Sequence, residues 1–181
     1  MFLAGSVRSD PRRLRAARRA SFPAVRARKP RAGRHHPASV ADIRAALMVF
    51  GEPVYYGVEL IELMPARPCD GGLLLGSLVG PGRIELYDQA PSPWRLGEVL
   101  SEHERDRVGD AGATVDVDGV VDWPADTLAR FMIGHVLAHE LGHHMLQHER
   151  RLRGERGART RDHEARAEVI ASQLRDQLGW R

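Results

Sequence analysis

Cysteine and lysine are nearly absent from this chain, aromatic residues are few, and there is no long apolar run. Each shortage excludes something. A single cysteine, Cys69, rules out an intrachain disulfide, so nothing points to an oxidising compartment. No stretch approaches the roughly 20 apolar residues of a membrane-spanning helix. The Arg-rich beginning lacks the apolar segment of a secretory signal, although its acid-poor composition imitates an organellar transit peptide. A soluble, cytoplasmic protein is expected, with no membrane partner. One lysine against 26 arginines reads as the coding bias of a GC-rich bacterial genome. With 181 residues, one domain with its own core is expected.

The charge is unevenly divided. Residues 1–38 carry 11 Arg/Lys and one acid, a net of +10, whereas residues 39–181 carry 16 Arg and 23 acids, a net of −7. The first segment has no hydrophobic periodicity and contains Pro11, Pro23, Pro30 and Pro37. It is expected to be a disordered tail, with the folded domain at 39–181. Such a tail can contact nucleic acid, but charge without a reading element gives only salt-sensitive, non-specific binding.

The rest reads as a succession of elements. Ser39-Val40-Ala41-Asp42 has the form of a capping box and opens a helix to Phe50, stopped by Gly51 and Pro53. Val54–Leu63 is β-rich in character. Leu73–Val79 and Arg83–Tyr87 read as two strands turning at Pro81-Gly82. A charged amphipathic helix is predicted near Leu96–Val108, and a hairpin turning at Asp118-Gly119. Leu128–Met145 is apolar around most of its circumference, as a buried helix should be. A last helix runs from Thr160 or Asp162 to Gly179, with a core stripe of Ala167, Ile170/Ala171, Leu174 and Leu178. The fold class predicted from this order is α+β.

The chemistry lies in His139-Glu140-Leu141-Gly142-His143. Residues four apart share a helix face, so His139 and His143 can offer imidazole nitrogens to one metal ion. Glu140 falls about 100° around the helix, beside a metal-bound water rather than in the ligand set. That geometry lets a zinc-activated water lose its proton to a carboxylate. Two histidines need a third protein ligand. Glu164 is the best candidate, with His163 as an alternative. Glu164 and Glu168 extend the apolar stripe of the last helix, where two carboxylates are costly unless something cationic meets them. Glu168 is placed to accept from the second ring nitrogen of a ligand imidazole. A solvated pair at a helix start would account for the same two acids.

His139-Glu140-x-x-His143 followed by Glu164-x-x-Ala167-Glu168 resembles the gluzincin zinc metallopeptidases, whose pattern is H-E-x-x-H then E-x-x-A-[D/E]. Arg130-Phe131 and Ala138–His143 are also similar to the active helix of ImmA/IrrE-type bacterial peptidases. The likeness spans roughly residues 39–178, but only the two motifs are specific, and Glu168 stands where many relatives have Asp. The resemblance implies a zincin-like fold and one zinc ion on His139, His143 and Glu164. It further implies Glu140 as catalytic acid/base, Glu168 orienting a ligating histidine, and a peptide or protein as substrate. The alternative is a zinc-stabilised regulatory or binding module without hydrolytic activity.

Other residues attract notice. His135 lies one turn before His139 and reads as a core or supporting histidine. His144 and His148 form a second i,i+4 pair, expected at a solvated helix end. Tyr55, Tyr87 and His103 are candidates to stabilise an oxyanion. Cys69 reads as a turn cysteine before Gly71-Gly72.

Overall fold

The computed structural model describes residues 21–66, 75–95, 102–152 and 161–180, without the side chains of 102–104, 149–152 and 161. Its element order is β1 (Ala24–Ala27), α1 (Val40–Phe50), α2 (Glu52–Tyr55), β2 (Leu60–Met64), β3 (Gly76–Gly80), β4 (Arg83–Tyr87) and β5 (Trp94–Arg95). Then come α3 (Glu102–Asp110), β6 (Thr114–Val115), β7 (Val120–Asp122), α4 (Thr127–Phe131), a π-helical segment (Met132–Leu137), α5 (Ala138–Leu152) and α6 (Arg161–Leu178). The molecule is α+β.

Four strands form the main sheet in the order β1-β2-β4-β3. β1, β2 and β4 are parallel, and β3 returns antiparallel to β4 through the Pro81-Gly82 turn. That turn needs the positive φ of Gly82, +73°, and its carbonyl accepts from the amides of Glu59 and Leu60 at the head of β2. Alternation puts Val25, Ile61, Leu63, Ile84 and Leu86 on one face, all buried. Against them pack Ile43, Leu47 and Phe50 of α1, the π segment, Leu141 of α5, and Ala171 and Leu174 of α6, in one core. β5, β7 and β6 make a separate small sheet, in which the hairpin predicted at Asp118-Gly119 is present.

Several expectations hold at the level of single residues. Ser39 Oγ accepts from the Asp42 amide while Asp42 accepts from the Ser39 amide, the reciprocal bonds of a capping box. The stripe on α6 is buried at Ala167, Ala171 and Leu174, and Gly179 ends the helix at φ +65°. The β-rich stretch is shorter than predicted. Val54 and Tyr55 belong to α2, which has Pro53 in its first turn, and strand pairing starts at Leu60. The charged helix occupies Glu102–Asp110, and residues 96–101 lie outside the described ones.

The predicted boundary after residue 38 is wrong. β1 pairs along Ala24–Ala27 with Leu60–Leu63, Val25 is buried, and His35 pairs with Gln89. Residues 1–20 lie outside the described part. The basic charge assigned to a tail is partly spent inside the domain. Asp88, fully buried, accepts from the Arg31 and Ala66 amides at 2.7 and 3.0 Å and from Arg34 Nε at 2.7 Å. Burial alone would raise its pKa, but these donors hold it below the usual carboxylate value. Arg28 and Arg83 likewise meet buried Glu62. A four-residue strand with one core side chain has no visible periodicity, and the arginines that follow it answer acids 34 to 57 positions away. Neither feature is readable locally.

Candidate metal centre

Both halves of the site are helical, and a close helix crossing brings them together. A side chain at Gly142 would place its Cβ 2.7 Å from the Ala167 carbonyl oxygen. Only glycine at 142 permits that approach, and the small Ala167 faces it on α6. The two small residues of the motifs therefore set the distance between the helices, and the charged residues flanking them meet across it.

His139 Nε2 and His143 Nε2 lie 3.4 and 3.2 Å from the same oxygen, Glu164 Oε2. One donor atom from each of the three residues lies within 4.8 Å of the other two. The two imidazoles meet edge to face, with centroids 4.5 Å apart and planes at 83°. His143 is buried, His139 partly exposed and Glu164 exposed, so the group opens to solvent on one side. Two imidazoles and a carboxylate gathered this closely could hold a metal ion, and their chemistry is that of the three-ligand sets zinc takes with a further position open. This is the only such group among the described residues.

Support comes from the other ring nitrogens. His139 Nδ1 is 3.2 Å from Glu168 Oε2, so the position of Glu168 is the one expected of an acceptor for a ligand imidazole. Glu168 Oε1 in turn accepts from Arg175 Nη2 at 3.0 Å. Burial would raise the Glu168 pKa. The hydrogen bonds from His139 and Arg175 and the nearby Arg107 charge outweigh it and bring the value down to about 2. His143 Nδ1 lies 3.1 Å from His163 Nδ1, with both rings buried. His163 thus contacts the side of His143 turned away from Glu164, and it is not part of the three-residue group.

Glu140 is buried on the sheet side of α5, where its Oε2 accepts from the Leu78 amide of β3 at 2.8 Å. Among the described residues β3 is an edge strand, hydrogen-bonded to β4 alone. The carboxylate that follows His139 in sequence is therefore fixed to the strand edge that runs past the helix.

The helix is not the uniform one the periodicity predicts. Met132–Leu137 is π-helical, and Arg175 Nη1 donates to the Gly134 carbonyl there at 3.4 Å. His135 sits in this segment, buried, stacked on Phe131, its Nδ1 without a hydrogen-bond partner among the described residues. Burial, then the Arg175 and Arg107 charges, push its pKa down to about 4 against the opposing pull of Glu168. It is a neutral core histidine at neutral pH, outside the metal group.

The remaining candidates are elsewhere. His144 is buried rather than solvated, because its Nε2 bonds the Tyr56 carbonyl at 2.9 Å, and His148 packs edge-on against the Tyr56 ring. Tyr87 is on the opposite face of the sheet, its hydroxyl donating to Glu85 at 2.8 Å. Tyr55 packs against Phe22. Cys69 and the His103 side chain lie outside the described residues. Sequence reasoning missed Arg175, the Leu78 amide and the contact of His163 with His143, offering His163 only as an alternative third ligand. Arg175 stands two turns after Glu168 on one helix and could have been found by spacing. The other two depend on tertiary approach. No helix among the described residues is long and apolar enough to cross a membrane. No family model, no curated protein and no solved structure matches this chain.

Proposed function

We propose that this chain is a zinc-dependent peptidase of the gluzincin type, in a zincin-like domain. The observation that carries the reading is the convergence of His139 Nε2, His143 Nε2 and Glu164 Oε2, with Glu140 one residue along the same helix. Zinc bound by those three residues would supply Lewis acidity toward a peptide carbonyl and make water acidic enough to lose a proton near neutral pH. Glu140 takes the proton of the attacking water and returns it to the leaving amine. Glu168, anchored by Arg175, holds the His139 ring in the orientation that presents Nε2. The edge of β3 offers backbone groups to an extended peptide or protein substrate lying beside α5. The single cysteine suits the cytoplasm.

One observation favours a second reading. The Leu78 amide gives Glu140 a structural partner, which a non-catalytic zinc-stabilised binding module would equally retain. The two readings separate in one experiment. Wild-type protein should carry one zinc per chain and cleave an unfolded protein such as casein. Glu140→Gln should keep the zinc and lose at least ~100-fold of the cleavage rate, since only the proton acceptor is changed. Equal activity in both proteins would overturn the peptidase mechanism. Zinc without cleavage in the wild type would select the binding module.

A further inference from the structure

The contact between His143 and His163 has a direction that can be worked out. His143 Nε2 is turned toward Glu164, at 3.2 Å, and its Nδ1 faces the opposite way, 3.1 Å from His163 Nδ1. Both residues are buried, and their ring planes differ by only 8°. Between two imidazole nitrogens one must supply the hydrogen and the other the lone pair. A metal at His143 Nε2 occupies the lone pair there, which leaves a neutral ring with its proton on Nδ1. His143 Nδ1 then donates, His163 Nδ1 accepts, and His163 holds its own proton on Nε2. The opposite polarity would put a proton on His143 Nε2, aimed at Glu164, and would remove that nitrogen as a ligand. The polarity of this one hydrogen bond and the ability of His143 to bind metal are the same variable.

We propose that His163 is a positioning residue of the metal centre, the neutral acceptor that fixes the ligating tautomer of His143. The inference rests on the zinc reading of His139, His143 and Glu164. It makes the two ligand histidines unlike. His139 leans on a carboxylate, Glu168, whose charge is balanced by Arg175. His143, the more buried of the two, leans on an uncharged ring. A second carboxylate in that buried position would need a cation of its own, whereas an imidazole accepts without adding charge.

The test uses the full chain and two readouts besides activity. Long-range proton–nitrogen NMR of 15N-histidine-labelled, zinc-loaded protein should show His143 protonated on Nδ1 and His163 protonated on Nε2. Chelator competition then compares two variants. His163→Leu keeps apolar bulk and removes the acceptor, and it should lose about 10–100-fold in zinc affinity. His163→Asn places an amide oxygen near the old Nδ1 position and should recover most of that loss. A proton on His163 Nδ1 in the loaded protein would overturn the inference. So would equal weakness of the Leu and Asn variants, or a Leu variant as tight as wild type. If His163→Leu does not fold, the tautomer measurement on wild type decides alone. Failure of the wild type to take up zinc would overturn the metal reading and this inference together; a zinc-loaded wild type with an unaffected Leu variant would overturn this inference only.

Discussion

Helix α5 carries two histidine pairs at the same i,i+4 spacing, and they come to different ends. His139 and His143 face α6, where Glu164 Oε2 lies near both Nε2 atoms and Glu168 and His163 lie against the two Nδ1 atoms. His144 and His148 face the chain after α2, where His144 bonds the Tyr56 carbonyl and His148 packs on the Tyr56 ring. One pair meets carboxylates and the other meets backbone and an aromatic edge. Spacing puts two imidazoles on one helix face, but the facing element decides whether they form a ligand set or a packing contact. His135 adds a third outcome on the same helical run: a buried imidazole stacked on Phe131, with no hydrogen-bond partner for Nδ1 among the described residues.

The sharpest way to break this comparison is to remove one histidine from each pair. His143→Ala should abolish stoichiometric zinc, lowering affinity by more than ~100-fold, and should lower the melting temperature of protein prepared with zinc, because metal binding adds to folding free energy. His144→Ala should leave the zinc content at one per chain. It should still destabilise by about 1–3 kcal/mol, because the Tyr56 carbonyl loses a buried partner. Metal analysis with thermal melts reads both, and zinc loss from His144→Ala would show that the pairs are not separate.

Gly142→Ala sharpens the comparison from the other side. Its methyl group would collide with the Ala167 backbone and push α6 away from α5. A loss of about 1–3 kcal/mol is expected from overpacking, with weaker zinc binding because Glu164 and Glu168 retreat with α6. The contact of His144 with Tyr56 should be untouched, which histidine NMR signals would report. An unchanged zinc affinity would mean that the helix crossing does not set the ligand distances.

The most gradual effect is a pH slope belonging to His135. Its folded pKa, about 4, lies below the ordinary histidine value of 6.5, so the unfolded chain binds more protons between those limits. Stability from this group is fully present above pH ~6.5 and is lost as pH falls toward 4. Denaturant unfolding of His135→Leu across that range should show a shallower dependence than wild type. Identical slopes would mean that His135 is not held neutral by burial.

Much of the local structure was legible in the sequence because its causes are local. The capping box at Ser39, the turn at Gly82, the stop at Gly179 and the apolar stripe of α6 each follow from a few neighbouring residues. The pairing of His139 with His143 and the candidacy of Glu164 and Glu168 follow from helical spacing within two segments. Strand β1 was not legible, since Ala-Val-Arg-Ala offers one buried side chain and draws its meaning from β2, more than 30 residues on. The charge count misled for the same reason: Arg31 and Arg34 look like tail charge until Asp88 is seen behind them.

The chemistry on offer was already written in the chain: two imidazoles on one helical face, a carboxylate after the first, two acids on a second helix, and small residues at 142 and 167. All of that is periodicity and residue type. Which of these groups meet was settled by packing. It turned Glu140 to the Leu78 amide and His144 to a carbonyl. It placed His163 behind His143 instead of beside Glu164, and Arg175 behind Glu168. The difference is one of range. Helical spacing fixes directions within a turn or two, whereas a hydrogen bond needs two atoms about 3 Å apart, and that distance is set by how the sheet and three helices pack around a shared core.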